Sequence, residues 1–444
     1  MFRTVLIANR GEIALRIIRA CRKLGIRPVA VYSDADAGAP HVRAADAAVP
    51  IGPAPAAESY LSIERILAAA RAVGAEAIHP GYGFLSENWR FAEACRRAGL
   101  VFVGPPAEVI RSMGNKLEAR RLVGRAGVPV LPGSEGPVGS PEEAAEIAAA
   151  IGYPVMLKAA SGGGGIGLAR VPGPEKLTAA LAMARRRVQS AFGDPAVYLE
   201  RAVERPRHVE VQVLGDEHAT LIHLLERDCS IQRRHQKLVE ECPAPRLPDG
   251  LRAELHAAGV RAAVTAGYQN AGTVEFLVED DRFYFLEMNT RLQVEHPVTE
   301  EVTGRDLVEA QFRVAAGERL QWTQAEIRPR GAAIECRIYA EDPERGFLPS
   351  PGTITALELP EGSGLRQECG IERGSAVTVH YDPLLAKLIA WGRDRDEAID
   401  RQRDALERCR IEGVKTTLPL HRRILASPAF RAGAVHTRFL EGEL

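Results

Sequence analysis

The chain has 444 residues, 46% of them hydrophobic and 26% charged, with a formal net charge of −1. That length calls for two or three cores, and the near-neutral balance excludes broad electrostatic attraction to nucleic acid or an acidic membrane. No apolar run reaches membrane-spanning length. Arg3 and Arg10 flank a short strand-like run where a signal peptide would need an apolar core, and seven cysteines are scattered without a CxxC pair. The expectation is a soluble cytoplasmic protein with reduced thiols.

Arg3–Ala8 reads as a strand and Gly11–Leu24 as a helix with Ile13, Ala14, Ile17, Ile18 and Cys21 on one side. Gly25 stops that helix and Pro28–Tyr32 returns as a strand. Helices near Ser62–Val73 and Glu87–Ala98 lead into strands Ala75–His79 and Leu100–Gly104. This is the repeat of a doubly wound parallel sheet. No GxGxxG follows the first strand, so dinucleotide binding is a weak reading. The segment His79–Asn88 follows a strand at its carboxyl end, where such sheets place ligands, or is an ordinary turn. A Pro-Gly-Ser-rich run from Val128 to Pro141 reads as a linker. Beyond it, strand Tyr153–Lys158, a helix from Pro174 to about Ala191, and strands Ala196–Glu200 and Arg207–Leu214 form a small α+β module able to close over a site. From Gly331 the pattern is β-rich, with Ala332–Ala340, Gly352–Leu359 and Ser375–His380 as strand segments. A final helix at Arg395–Arg408 precedes a short terminal segment.

Lysine is scarce, occurring only at Lys23, Lys116, Lys158, Lys176, Lys237, Lys387 and Lys415. Retained lysines mark places where a compact point charge is needed instead of a planar fork. Lys116, Lys158 and Lys237 sit in distinctive motifs; Lys23, Lys176 and Lys415 read as ordinary positions. Gly162, Gly163, Gly164 and Gly165 let backbone amides approach phosphate oxygens closely, although no GK[ST] follows to make a P-loop. Lys158 at the preceding strand end adds the cation of a phosphate lid; the plain alternative is a lysine reaching to solvent. Arg233–Lys237 is either a solvated basic patch or, beside Glu226–Ser230, part of a polyphosphate site. His208 alone is by default a structural strand histidine.

The densest stretch is Phe285–Val298, FLEMNTRLQVEHPV. As a strand it points Glu287, Asn289 and Arg291 to one face and Leu286 and Met288 to the other. Gly272–Val278 is a second strand pattern, so the two read as an antiparallel hairpin. With a turn centred on Asp281, Glu275 lies opposite Glu287 with Cβ atoms roughly 5 Å apart. Two acids and an amide with an arginine beside them suit magnesium shared with a phosphate substrate. Glu295 is a candidate general base; an ion pair with Arg291 is the plain alternative and compatible with that role.

Taken in order, Ile7–Arg16, His79–Asn88, Met113–Lys116, the glycine run, Arg227–Lys237, Glu287–Pro297, Glu335–Arg337 and Tyr381–Pro383 resemble the biotin carboxylase family essentially end to end. The resemblance implies an α/β and α+β multidomain chain. It would comprise a doubly wound domain over 1–113, an ATP-grasp domain over 114–328 with a mobile lid at about 131–203, and a β-rich C-terminal domain over 329–444. It implies magnesium or manganese on Glu275, Glu287 and Asn289, and ATP phosphates on Lys116, Lys158 and the Gly162–Gly165 amides. Glu200, Arg201, Val203, His208, Gln232, His235 and Leu277 would surround the nucleoside, and Tyr82 would join the binding residues. Arg291, Gln293, Val294 and Lys237 would bind bicarbonate, which Glu295 deprotonates to give carboxyphosphate. Arg337 would stabilise the oxyanion of deprotonated biotin. Ile166, Leu168 and Arg201 depart from the family's usual residues. No Met-Lys-Met biotinylation motif occurs, so the biotin is expected on a separate carrier protein or on a carrier domain outside this sequence, with a carboxyltransferase as further partner, a homodimer as the assembly, and no nucleic acid or membrane involved.

Overall fold

The computed structural model describes residues 1–160 and 167–442. At the N-terminus, Thr4–Ile7 is the central strand of a five-stranded sheet, flanked by Arg27–Tyr32 and Ala47–Pro50 on one side and Ala77–His79 and Val101–Phe102 on the other. All four pairings are parallel, because each connection carries a helix back across the sheet. Helix Gly11–Lys23 buries Ile13, Ile17 and Ile18 against Val5 and Ile7. It ends at Gly25, whose φ of +70° is the left-handed conformation glycine adopts most cheaply. The doubly wound reading is the observed one.

A three-stranded sheet, with Val155–Ala159 between Ala169–Val171 and Val197–Arg201, packs on helices Pro141–Ile151 and Leu177–Phe192. This is the expected α+β module. The Val128–Pro141 run is no free linker, however. Phe285 N donates to Pro129 O, Arg201 N to Pro132 O and Ser134 N to Leu199 O, each at 2.8 Å. The segment therefore seams the module to the body of the protein, and its prolines and glycines serve an irregular path rather than a loose one.

The largest sheet is antiparallel and eight-stranded. Its order is Arg282–Asn289, Asn270–Glu279, Arg207–Gly215, Leu221–Arg233, Gln236–Cys242, Ala332–Tyr339, Leu384–Gly392 and Leu365–Cys369. It continues across the expected boundary at 328/329, since Gln236–Cys242 pairs directly with Ala332–Tyr339. Helix Arg395–Arg408 covers its C-terminal end through Ala398, Ile399, Ala405 and Leu406. That helix is not the last: Leu418–Ala426, Pro428–Arg431 and Phe439–Gly442 follow, with Ile424, Phe430 and Phe439 completing the same core.

Candidate active site

The predicted hairpin exists, but its register is reached differently. The strands join through a two-residue turn at Asp280–Asp281, pairing Glu279 with Arg282 and Phe276 with Phe285. That register alone would put Glu275 against Leu286. A bulge at Leu286 shifts it by one residue, so Glu275 faces Glu287 after all. The bulge also corrects the expected facing: Leu286 lines the cleft beside Glu287, and it is Phe285 and Met288 that enter the core.

The neighbouring strand extends the row. Glu275 is paired with Glu210, and Glu210 in turn with Arg227. Three carboxylates thus stand side by side across three strands, an arrangement that survives only with cations interleaved. Each acid has at least one, and one cation is shared. Lys116 pairs with Glu287. Arg227, wholly buried, donates to Glu210 Oε1 (2.6 Å), Gln212 Oε1 (2.7 Å), Thr299 Oγ1 (2.9 Å) and Thr273 Oγ1 (3.2 Å). Lys237 Nζ donates to Glu210 (2.5 Å), Glu275 (2.8 Å) and Glu295 (2.7 Å). His208 Nε2 lies 2.8 Å from Glu275 Oε2, so this histidine is tied to the acid row and not merely structural.

Burial would raise the Glu275 carboxyl, but Lys237 and His208 outweigh it and hold it well below the usual range. The Lys116 charge, against burial, lowers Glu287. Burial acts against protonated His208, yet Glu275 raises it. Asn289 and Gln293 amides also donate to Glu275 Oε1, at 2.7 and 2.9 Å. Among the described residues, His208, Glu210 and Glu275 offer ligand atoms within 4.8 Å of one another, as do Glu210, Cys229 and Glu295. The Lys237 ammonium bonds to acids of both groups, which identifies them as a charge-compensated cluster.

Glu295 precedes helix His296–Thr303 at its N-cap, where the helix dipole favours an anion. It is fully buried. Its partner is not Arg291: Glu295 Oε1 accepts from Lys237, and Oε2 accepts from Arg337 Nη2 at 2.8 Å. Burial opposes ionisation here too, but Lys237, Arg337 and Arg227 keep the carboxyl well below its ordinary value. Arg291 instead donates to Glu87 Oε2 (2.8 Å), Gln293 Oε1 (2.9 Å) and Asn289 Oδ1 (3.3 Å).

These groups share one cleft of about 1310 Å³ between the N-terminal sheet, the α+β module and the large sheet. Tyr82, Lys116, Lys158, Glu200, Arg201, Val203, His208, Gln232, His235, Lys237, Glu275, Leu277, Glu287, Asn289, Arg291, Gln293, Val294 and Arg337 all line it. Glu295 does not; it lies behind Lys237 and Arg337. Gly162–Gly165 and Ile166 lie outside the described residues. Lys158 is buried and ion-paired to Glu200, so it does not reach to solvent, and Arg120 Nη1 also donates to Glu200 at 2.7 Å. Arg201 leans on Tyr284 of the hairpin, its guanidinium 5.5 Å from the ring centre. Arg233–Lys237 is no loose basic patch: Arg234 and His235, with φ of +48° and +68°, form the two-residue turn of a hairpin.

The sequence reading missed Glu210, Glu240, Arg120 and the role of Glu87. Glu210 was within reach, since it shares a strand face with His208 two residues earlier. Glu87 lies in the turn of the flagged His79–Asn88 segment, but its pairing with Arg291 is across the fold; Glu240 and Arg120 come from a distant strand and helix, with no local signal.

A cation-rich cleft, two facing acids held below the usual carboxylate range and a shielded carboxylate suit phosphate chemistry on an anionic substrate. Three family models cover most of the chain: "Biotin carboxylase, N-terminal domain" over residues 1–110, "Carbamoyl-phosphate synthase L chain, ATP binding domain" over 115–323, and "Biotin carboxylase C-terminal domain" over 335–442. Biotin carboxylase 2 of Bacillus subtilis is 54% identical over 100% of both chains. A pyruvate carboxylase subunit of Methanothermobacter thermautotrophicus is 53% identical, over 99% of this chain and 90% of that one. The biotin carboxylase domain dimer of Hydrogenobacter thermophilus 2-oxoglutarate carboxylase, solved with MgADP, ADP and bicarbonate, superposes with a TM-score of 0.96 at 50% identity, covering 99% of this chain and 97% of that one. The Campylobacter jejuni biotin carboxylase in complex with a β,γ-ATP compound gives 0.97 at 46% identity, covering 99% of both. The chain therefore belongs to the biotin carboxylase family and is an ATP-grasp enzyme of that type.

Proposed function

We propose that the cleft activates bicarbonate with ATP and carboxylates biotin borne by a carrier protein, the first half-reaction of an acetyl-CoA or other acyl-CoA carboxylase. The observation that carries this reading is Glu295, held ionised and away from bulk water between Lys237 and Arg337. In it, Lys116, Lys158 and the Gly162–Gly165 backbone hold the ATP phosphates. Glu200, Arg201, Val203, His208, Gln232, His235 and Leu277 surround the nucleoside. Glu275, Glu287 and Asn289 offer hard oxygen donors of the kind magnesium or manganese takes; both acids are ionised and face the cleft. Bound there, the ion supplies neutralisation of phosphate charge.

Arg291, Gln293, Val294 and Lys237 orient bicarbonate. Glu295 removes its proton, the freed oxygen attacks the γ-phosphorus, and ADP leaves, giving carboxyphosphate. Breakdown to carbon dioxide and phosphate follows; phosphate accepts the proton of the biotin ring nitrogen, and Arg337 faces the developing oxyanion. As Lys237 and Arg337 turn part of their charge to anionic substrates, they stabilise Glu295 less and its basicity rises when the base is needed.

The dimer in the Hydrogenobacter structure supports a homodimer, and the scattered cysteines support a cytoplasmic location. A separate carboxyltransferase would choose the acyl acceptor. The likeness to the Methanothermobacter pyruvate carboxylase chain favours pyruvate as an alternative. Glu295→Gln tests the base: bicarbonate-dependent ATP cleavage is expected to fall about 10²- to 10⁴-fold while ATP still binds by equilibrium dialysis. Near-normal turnover refutes the assignment.

A further inference from the structure

Lys387 is one of only seven lysines and has no part in the scheme above. It lies on strand Leu384–Gly392 and is wholly buried. Its Nζ donates to the Val294 carbonyl at 2.6 Å, one residue before the base, and lies 3.1 Å from Glu12 Oε1. Glu12 comes from the first helix of the N-terminal sheet, and the same oxygen accepts the Tyr82 hydroxyl. The preceding carbonyl of the loop is held from within: the His296 ring Nδ1 bonds to Gln293 O at 2.9 Å. Two consecutive carbonyls of the Gln293–Glu295 loop are thus clamped, one locally and one by an ammonium from the C-terminal end of the large sheet.

We infer that Lys387, paired with Glu12, is a positioning residue that fixes the loop presenting Gln293 and Glu295 and ties it to Tyr82, a cleft residue of the N-terminal unit. A buried ion pair is a poor device for stability alone, because apolar residues of similar volume fill such a site at lower desolvation cost. What the pair adds is directionality: a single point charge joins segments of three parts of the fold at the atom next to the base. A displacement near 1 Å of a reacting group costs on the order of 10²-fold in rate.

The inference rests on the proposed function for its kinetic test and on the fold alone for a second readout. In Lys387→Met, KM for bicarbonate is expected to rise at least about fivefold and kcat of bicarbonate-dependent ATP cleavage to fall about 10- to 100-fold. KM for ATP should stay within about twofold. A purely structural lysine predicts a lower melting temperature with the bicarbonate KM unchanged, and that result overturns the inference. Should Lys387→Met not fold, Glu12→Gln carries the same test, and an unchanged bicarbonate KM there overturns it equally. Independently of activity, amide hydrogen exchange over Gln293–His296 should accelerate in the variant; unchanged exchange contradicts the clamp. ATP cleavage by the unsubstituted enzyme that ignores bicarbonate would instead refute the functional reading, while the exchange measurement still decides the clamp.

Discussion

Arg227 shows most directly how single side chains hold the site together. Its guanidinium makes four hydrogen bonds to four different side chains, all within buried surroundings and none exposed. Removing it leaves Glu210 to share the single Lys237 ammonium with Glu275 and Glu295, so Arg227→Met is expected to destabilise the protein by roughly 3–5 kcal/mol, the cost of breaking a buried ion pair from one side. Lysine should not rescue it, since a single ammonium cannot reproduce the planar fork. Urea denaturation of the two variants checks this, and a wild-type midpoint for Arg227→Lys would contradict it. At this scale much was legible in the sequence. The facing of Glu275 and Glu287 follows from a turn centred on Asp281, a count that comes out right only because the bulge at Leu286 offsets the two-residue turn actually formed, and Lys116, Lys158 and Lys237 stand out by scarcity. Their partners were less accessible. That Lys237 serves Glu210, Glu275 and Glu295 together depends on strand order, and nothing local to those residues encodes it.

Among the elements, the antiparallel ladder brings together charges that the hairpins alone do not. Glu240 on Gln236–Cys242 is paired in register with Glu335 on Ala332–Tyr339, and both are fully buried. Arg337 Nε lies 2.5 Å from Glu240, and Lys387 is the principal charge opposing Glu335's burial. Burial, with its neighbour Glu295 adding to it against Arg337, lifts the Glu240 carboxyl to about 7. Burial likewise lifts Glu335 well above the usual range. A folded value above the unfolded one means that the folded chain binds the extra proton between about pH 4.5 and 7, so this contribution to stability grows as pH falls through that window and is lost above it. Glutamine mimics the protonated acid. Glu240→Gln should therefore melt higher than the unsubstituted protein at pH 8, by on the order of 1–3 kcal/mol of stability, with the advantage vanishing near pH 5. A difference that is constant with pH would contradict it. The bulge at Leu286 belongs to the same scale. Alternation predicts a regular strand, and only the two-residue turn at Asp280–Asp281 makes an extra residue necessary to bring the acids into line.

For the whole molecule, four of the five strands of the parallel N-terminal sheet are readable because they and their helices carry their own periodicity; the edge strand Ala47–Pro50, Ala-rich and only four residues long, gives no such signal. The later two-thirds is less readable. The large sheet draws strands from residues 207 to 392: its hairpins join strands consecutive in the chain, but the pairings of Asn270–Glu279 with Arg207–Gly215 and of Gln236–Cys242 with Ala332–Tyr339 join distant segments, and the second crosses the boundary that the resemblance implied. The cleft lies where these parts meet: Glu12 and Tyr82 come from the N-terminal unit, Lys158 and Glu200 from the α+β module, and Arg337 from the strand that continues the sheet beyond that boundary. A site assembled in this way fits a reaction that couples a nucleotide, a small anion and a third substrate. The most direct measurement is ADP release by the purified chain with ATP and magnesium, with and without bicarbonate and free biotin, while following radiolabel from bicarbonate into biotin. Cleavage that requires bicarbonate, is stimulated by biotin and is matched by labelled carboxybiotin is the predicted result; ATP hydrolysis indifferent to both compounds, with no label transferred, would contradict it.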